Sequence, residues 1–278
     1  MQTAGLFLFL VLLALIVLGA VIFTLSIGFR RRAARFWVRA GQGPSAEDQG
    51  DRLPLLVRTY ALRAGAEAGP GHLAMVLTQA AELRRRRGGL FAPYRARQIV
   101  ALGEPGFVWN ARRGFGPLTL LRVVDSFTGG EGRLEARLFG ALTVARMNGV
   151  ETTLGEAFRY LAELPWAPDA ILGNPELHWR MTAEDEAEVK LNTRVGTARV
   201  VFRFDAHGDI VAMEARERPA ADPDGRPVRY DWRGRFGDYR QVGARRLPAY
   251  GEVGYVYPDG YEVYFRARVT DCRPVAGR

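Results

Sequence analysis

Acidic, basic and aromatic side chains crowd into one stretch of this chain, Gly155-Glu156-Ala157-Phe158-Arg159-Tyr160-Leu161-Ala162-Glu163-Leu164-Pro165-Trp166-Ala167-Pro168-Asp169-Ala170. On a helix, Glu156 and Glu163 share a face two turns apart, about 10 Å. Carboxyl groups so placed, with Asp169 close behind, have the residue types that acid–base chemistry needs. The same residues fit a structural reading: Glu156 caps a helix, Glu163 pairs with an arginine and Asp169 opens the next turn. Arg159 and Tyr160 suggest different chemistry, because a guanidinium fork suits a phosphate or carboxylate head. A salt bridge from Arg159 to a sheet is the plainer alternative. With Trp109 as a further aromatic wall, the candidate ligand-binding set is Arg159, Tyr160, Glu163, Trp166 and Trp109; no catalytic residue is assigned.

Other chemistries lack their residues. Cys272 is the only cysteine, so an intrachain disulfide and a cysteine metal cluster are both excluded. His72, His178 and His207 are too scattered for a ligand set. The sequence has no G-x-x-x-x-G-K-[ST], G-x-G-x-x-G, G-x-S-x-G or H-E-x-x-H motif. No cofactor is expected. The net charge is +9, and Lys190 is the only lysine among 39 basic residues. No nucleic-acid fold signature accompanies that charge, so no nucleic-acid partner is expected.

The elements that must position these residues are mostly strands. Leu53–Ala64 reads as a short helix, with Pro54 in its first turn and Gly65 at its stop. The period then becomes two: Tyr94, Ala96, Gln98, Val100 and Leu102 share a face, as do Leu134, Ala136 and Leu138. Thr128–Gly132 is a turn between strands, and Pro258-Asp259-Gly260 is a hairpin turn before Tyr261–Val269. Arg84–Arg87, ending at Gly88-Gly89, reads as a solvated hairpin tip that could also touch anionic lipid. The pattern breaks only at Glu151–Trp166 and Pro168–Leu172, which read as helical. The expected fold is mainly β (α+β): an N-terminal transmembrane helix, then a curved antiparallel sheet of about ten strands. The helical insertion should cover the concave face and enclose an apolar cavity.

Gly5–Phe29 carries no charge, and a helix of that length rises about 37 Å, enough to cross a bilayer. Arg30, Arg31, Arg32, Arg35 and Arg39 follow directly. The expected organisation is a single-pass anchor over 1–29, a basic juxtamembrane segment and linker over 30–52, and one β-rich domain over 53–278. The breaker-rich residues 41–51 read as a free tether, so a domain starting at Asp51 should stand alone. The arginines place that domain on the cytoplasmic side of an inner membrane by the positive-inside rule, with the periplasmic side left open.

The Arg159–Ala170 run, Pro105-Gly106-Phe107-Val108-Trp109-Asn110-Ala111 and Gly234-Arg235-Phe236-Gly237-Asp238-Tyr239-Arg240 together resemble a family of uncharacterised bacterial proteins. In that family a membrane segment precedes a domain of unknown function. The resemblance implies homology over about residues 53–273 and no activity. In plan, the strands and helix also resemble the half-barrel of periplasmic lipoprotein carriers, an architectural analogy. Three readings follow. The first is a membrane protein binding a lipid or other apolar ligand. The second is a protein-interaction scaffold at the membrane. The third is a membrane-associated enzyme using Glu163 and Asp169.

Overall fold

The computed structural model describes residues 2–276 apart from 70, 116, 117 and 223–225, without the side chains of 2–9 and 15. The first helix, α1, is Gln2–Ala40, and α2 is Leu55–Arg63. Six strands follow: β1 His72–Arg84, β2 Phe91–Ala101, β3 Phe107–Phe115, β4 Leu118–Thr128, β5 Glu131–Leu138 and β6 Leu142–Met147. Helices α3 Val150–Ala162 and α4 Pro168–Gly173 flank a single 3-10 turn at Leu164–Trp166. Seven more strands complete the chain: β7 His178–Ala183, β8 Glu186–Thr193, β9 Gly196–Phe204, β10 Ile210–Ala221, β11 Pro227–Val242, β12 Arg245–Tyr257 and β13 Gly260–Ala276.

All thirteen strands form one antiparallel sheet, ordered β6-β5-β4-β3-β2-β1-β13-β12-β11-β10-β9-β8-β7. The chain starts mid-sheet, walks out to one edge, crosses by α3 and α4 to the other edge, and walks back to the middle. Helix α3 touches β4 and β5 in one half and β8, β9 and β10 in the other. In a flat sheet β5 and β9 would stand about 43 Å apart, nine steps of about 4.8 Å. A helix about 10 Å across can reach both only if the sheet curls around it. The expected strand-and-helix plan is therefore present, with more strands than periodicity showed. One reason is the break at Phe139 and Gly140, both at positive φ (53° and 73°), which splits the 133–146 stretch into β5 and β6.

The inner face carries the main core, including Leu77, Val100, Phe107, Trp109, Phe202 and Trp232. The outer face is apolar as well where α1 covers it. Val76, Ile99 and Val108 are cross-strand partners in one transverse row. Phe29, Ala33 and Ala40, with Phe36 and Trp37, pack on that row and on Val124. Arg137 lies 4.9 Å from the Phe29 ring and Arg97 lies 5.3 Å from Trp37.

Residues 41–51 are not a free tether. Ala46 N donates to His72 O (2.9 Å), Gln49 N to Leu172 O (2.8 Å), and Gly69 N to Ala46 O (2.9 Å). Ala46 is buried where Gly173 lacks a Cβ; one added there would lie 2.2 Å from the Ala46 methyl. Composition describes the side chains of such a segment. Its backbone donors and acceptors still need partners, and the domain supplies them. A chain beginning at Asp51 should therefore expose the Val76–Ile99–Val108 row and lose the strap. We expect it to self-associate and to melt at least about 5 °C below a chain beginning at Ser26. Light scattering and thermal melts check this; two monomers of equal Tm would show that α1 and the strap contribute nothing.

Candidate functional site

Strand register sets up the site before any side chain is considered. Gln98 pairs with Trp109, and Trp109 pairs with Asp125, so three polar-tipped residues lie in one row on the inner face. Above them, Glu156 and Arg159 on α3 and Glu163 at its C-terminal cap recur at helical spacing, and all three line the same cavity. Arg159 Nε donates to Glu163 Oε1 (2.8 Å), and its Nη1 bonds Asp125. Its guanidinium carbon also lies 4.9 Å from the Phe107 ring centre and 5.1 Å from that of Trp109. Gln98 Nε2 bonds the other oxygen of Glu163, Gln79 Nε2 donates to Gln98 Oε1 (3.1 Å), and Trp109 Nε1 donates to Gln79 Oε1 (2.8 Å). A continuous polar chain thus ties α3 to β1, β2, β3 and β4 within the core.

Electrostatics in this cluster are dominated by burial. Burial raises the Asp125 carboxyl above its usual range, against the pull of Arg159. Glu156 is pushed further up, by burial and then by the neighbouring Asp125 charge. Burial opposes charge on Arg159, but Glu163, Asp125 and Glu156 outweigh it, so the guanidinium stays protonated. Asp125 Oδ1 and Glu156 Oε2 are buried with no donor among the described residues. The bond open to these two carboxyl groups needs a proton on one of them, and Glu156 is the better holder.

The space beneath α3 is a cavity of about 280 Å³. Leu83, Val123, Leu134, Met147 and Phe265 supply apolar wall, with Trp109, Trp166, Trp232, Tyr255 and Tyr264 around them. Trp166 is buried; its Nε1 donates to Pro248 O (2.9 Å), and its ring meets Phe236 edge-on at 6.1 Å. Gly251 makes that possible, since a Cβ there would lie 2.6 Å from Trp166 Cζ2. On the opposite wall stands Arg218, which sequence reasoning missed.

Four of the sequence-derived residues, Arg159, Glu163, Trp166 and Trp109, are thus brought to one cavity; Tyr160 is not. One residue past Arg159, Tyr160 points about 100° away around the helix. It is buried in the core, where Asn174 Nδ2 donates to its hydroxyl (2.8 Å). Asp169 is also elsewhere. It is fully buried in a fork with Arg245 (Nη2–Oδ1 2.7 Å, Nε–Oδ2 3.0 Å) and accepts from Glu67 N (3.0 Å). The pairing of Glu163 with Asp169 that an enzyme would need is not formed. Among the described residues no cluster of His, Cys, Asp and Glu could hold a metal ion. The missed residues left one signal, an Asp (Asp125) and a Gln (Gln98) at inward positions of apolar alternations.

Comparison with known proteins places the chain in a family. Residues 44–267 match the model of a family of unknown function, DUF6544. The chain belongs to that family. No curated protein matches it by sequence. A domain assigned as an outer membrane lipoprotein-sorting protein from Vibrio parahaemolyticus is similar in structure at 12% identity, covering 81% of this chain and 93% of that one, with a TM-score of 0.46. A LolA superfamily protein from Nitrosomonas europaea gives 9% identity, 78% and 91% coverage and a TM-score of 0.41. A DUF1329 family protein from Desulfovibrio piger gives 8% identity, 79% and 90% coverage and a TM-score of 0.39.

The raised Glu156 carboxyl has a consequence for stability. Folded Glu156 keeps its proton at pH values where the unfolded chain has released it, so the native state binds more protons and is penalised as pH rises. Glu156→Gln removes this penalty. The variant's Tm should exceed that of the wild type by a margin that grows between about pH 5 and about pH 8. Thermal melts across that range check the sign; a constant or shrinking margin would mean that Glu156 is ionised in the folded protein.

Proposed function

We propose that this protein is a membrane-anchored binding protein whose cavity beneath α3 receives an apolar chain. The observation that carries the reading is the cavity itself: about 280 Å³, lined largely by aromatic and aliphatic side chains, with charged groups along its helix and at Asp125, Arg218 and Glu252. A well-packed domain of this size keeps few voids larger than a water molecule. A cavity with these walls suits a chain of methylenes better than water. The anchor supports the setting. Helix α1 is, among the described residues, the one helix long and apolar enough to cross a membrane. Leu10–Leu13, Ile16–Leu18, Val21, Phe23 and Leu25 are exposed along it. The arginines after Phe29 favour a cytoplasmic domain at an inner membrane.

Acid–base catalysis is not part of this reading. Glu163 is held by Arg159 and Gln98, and Asp169 by Arg245. The scaffold alternative finds no support in the site, because Trp166 is buried.

Gly155 gives a test that leaves the fold intact. It lies on α3 at the cavity wall, and a Cβ there would sit 3.8 Å from Pro219 O and 3.9 Å from Arg218 Nη2, ordinary contact. Gly155→Leu should fill the cavity and gain about 1 kcal/mol of helix propensity. Full-length protein in phosphatidylcholine nanodiscs should bind methyl laurate, scored by native mass spectrometry. The variant should lose at least about fivefold in binding at an equal or higher Tm. Equal binding by both proteins, or no binding by the wild type, rejects the cavity as a ligand site.

A further inference from the structure

Arg218 stands on the inner face only because β10 breaks its alternation. Met213 and Ala215 point inward, so strict alternation would send position 217 in and 218 out. Instead the β10–β11 register slips between Ala215 and Arg218, and Glu217 takes φ 51°. Glu217 N is held by Asp231 Oδ1 (3.2 Å). A bulge of this kind re-aims a side chain, and a non-glycine residue at positive φ costs stability. The side chain so placed is a guanidinium only 7% exposed. It has no carboxylate within 4 Å among the described residues; its bonds go to Gly155 O (3.1 Å), Pro219 O (3.4 Å) and the Tyr255 hydroxyl. Its carbon lies 4.5 Å from the Trp232 ring, and its Nε is buried with no partner. Arg159 is different, because two carboxylates neutralise it.

We propose that Arg218 is the receptor for a single-charge anionic head, a carboxylate or phosphodiester, on the chain that fills the cavity. A buried cation satisfied only by neutral acceptors gains most from an anion brought to it. The unused Nε–H is a donor for one oxygen. Asp125 lines the same cavity and disfavours a second negative charge. Burial pushes the Glu156 carboxyl up, so it competes less for the cation of Arg218.

This inference rests on the cavity reading, and the experiment separates the two. Full-length protein in phosphatidylcholine nanodiscs is titrated with laurate and with its uncharged methyl ester. The expected result is a preference for laurate of about tenfold or more, falling to near unity in Arg218→Gln with ester binding unchanged. A preference equal in both proteins, or near unity in the wild type, overturns the role of Arg218. Failure to bind either probe overturns the cavity reading and this inference with it. Should Arg218→Gln not fold, Arg218→Lys, which keeps the charge and lacks the Nε–H donor, must lower the wild-type laurate preference; an unchanged preference overturns the role of Arg218. Lysophosphatidylglycerol as a third arm distinguishes a phospholipid source from a free fatty acid.

A second surface follows from the course of α1. Arg39 lies against Gly129, at one end of β4 and β5, and Ser26 lies against Gly140, at the other. The helix therefore leaves the sheet past the β5–β6 turn, and its exposed apolar run begins there. The register puts the β1–β2 and β3–β4 hairpin tips at the same end. These tips expose Leu90 (94%), Phe115 (79%), Leu118 (56%) and Leu142 (63%). Arg30 and Arg112 lie close enough to Arg122 to depress its pKa, after burial. Apolar tips backed by arginines, level with the start of a span, match the depth and charge of an anionic headgroup layer.

We infer that these three hairpin tips enter the headgroup layer and seat the sheet directly on the bilayer. The inference rests on α1 being an anchor. Cys272 is fully buried, so a fluorophore can be attached to single added cysteines at Leu142→Cys, Leu18→Cys and Glu131→Cys. In phosphatidylcholine–phosphatidylglycerol nanodiscs carrying nitroxide lipids, labels at 142 and 18 should be quenched and the label at 131 should not. Quenching at 18 without quenching at 142 overturns the seating. Absence of quenching at 18 overturns the anchor and the seating together.

Discussion

A thirteen-stranded sheet whose two edges are joined by one helical crossing depends on what holds that crossing down, and here it is Arg159. Apolar contact alone would let α3 slide along a greasy trough, since dispersion has no direction. The guanidinium fixes its register. It reaches Asp125 on β4 and Glu163 at the C-terminal cap of its own helix. Gln98 then carries the hold to the middle of the sheet. Removing one member of such a buried set typically costs about 3–5 kcal/mol, more than an average core methylene. The curl of the sheet, the floor of the cavity and the placement of Trp166 all follow from where α3 is pinned.

Buried charge is handled in two ways in this molecule. Asp169 is saturated: Arg245 meets it through a fork and Glu67 N adds a further donor. Asp209 is likewise forked by Arg246 (2.7 and 2.8 Å) and joined by Arg63. These pairs clamp α2 and α4 to the ends of the strands. Around the cavity the pairing is incomplete among the described residues: Asp125 and Glu156 can bond each other only when one carboxyl keeps its proton, and Arg218 keeps an Nε without a partner. Full satisfaction is the rule for buried polar groups, and at Arg218 the exception leaves a donor able to take a further acceptor.

Much of the architecture was legible in the sequence, for a physical reason. Alternation in Tyr94–Leu102 and Leu134–Leu138 reports one wet and one dry face, and the helical spacing of Phe158, Leu161 and Ala162 reports a covering helix. Two features were not legible. Charge and breakers in 41–51 suggested a tether, because composition does not reveal which backbone groups a domain will bond. The outer row of Val76, Ile99 and Val108 was apolar enough to need a cover, and that cover, Phe29–Ala40, sat among the arginines assigned to the membrane interface. Arg159, Glu163, Trp166 and Trp109, named from one dense helix and one strand motif, line one cavity. Arg218 was not named, because a bulge inverts the period-two rule that sequence reading relies on. Tyr160, one step further around the helix, faces the core instead.

The strand order also constrains how the chain reaches its native state. Strand β1 pairs with β13, so His72 finds its partner at Ala276, across nearly the whole sequence. Until the final strand is synthesised, the first half-sheet has β1 as an unpaired central edge, in a chain whose N-terminal helix precedes it. Non-local closure of this kind is slow, and an open edge invites pairing with other chains. A nascent chain already held in a bilayer is diluted from its neighbours in the third dimension yet confined with them in two. Under the anchored reading proposed above, crowding in the membrane during synthesis adds to the risk of misassembly for this topology.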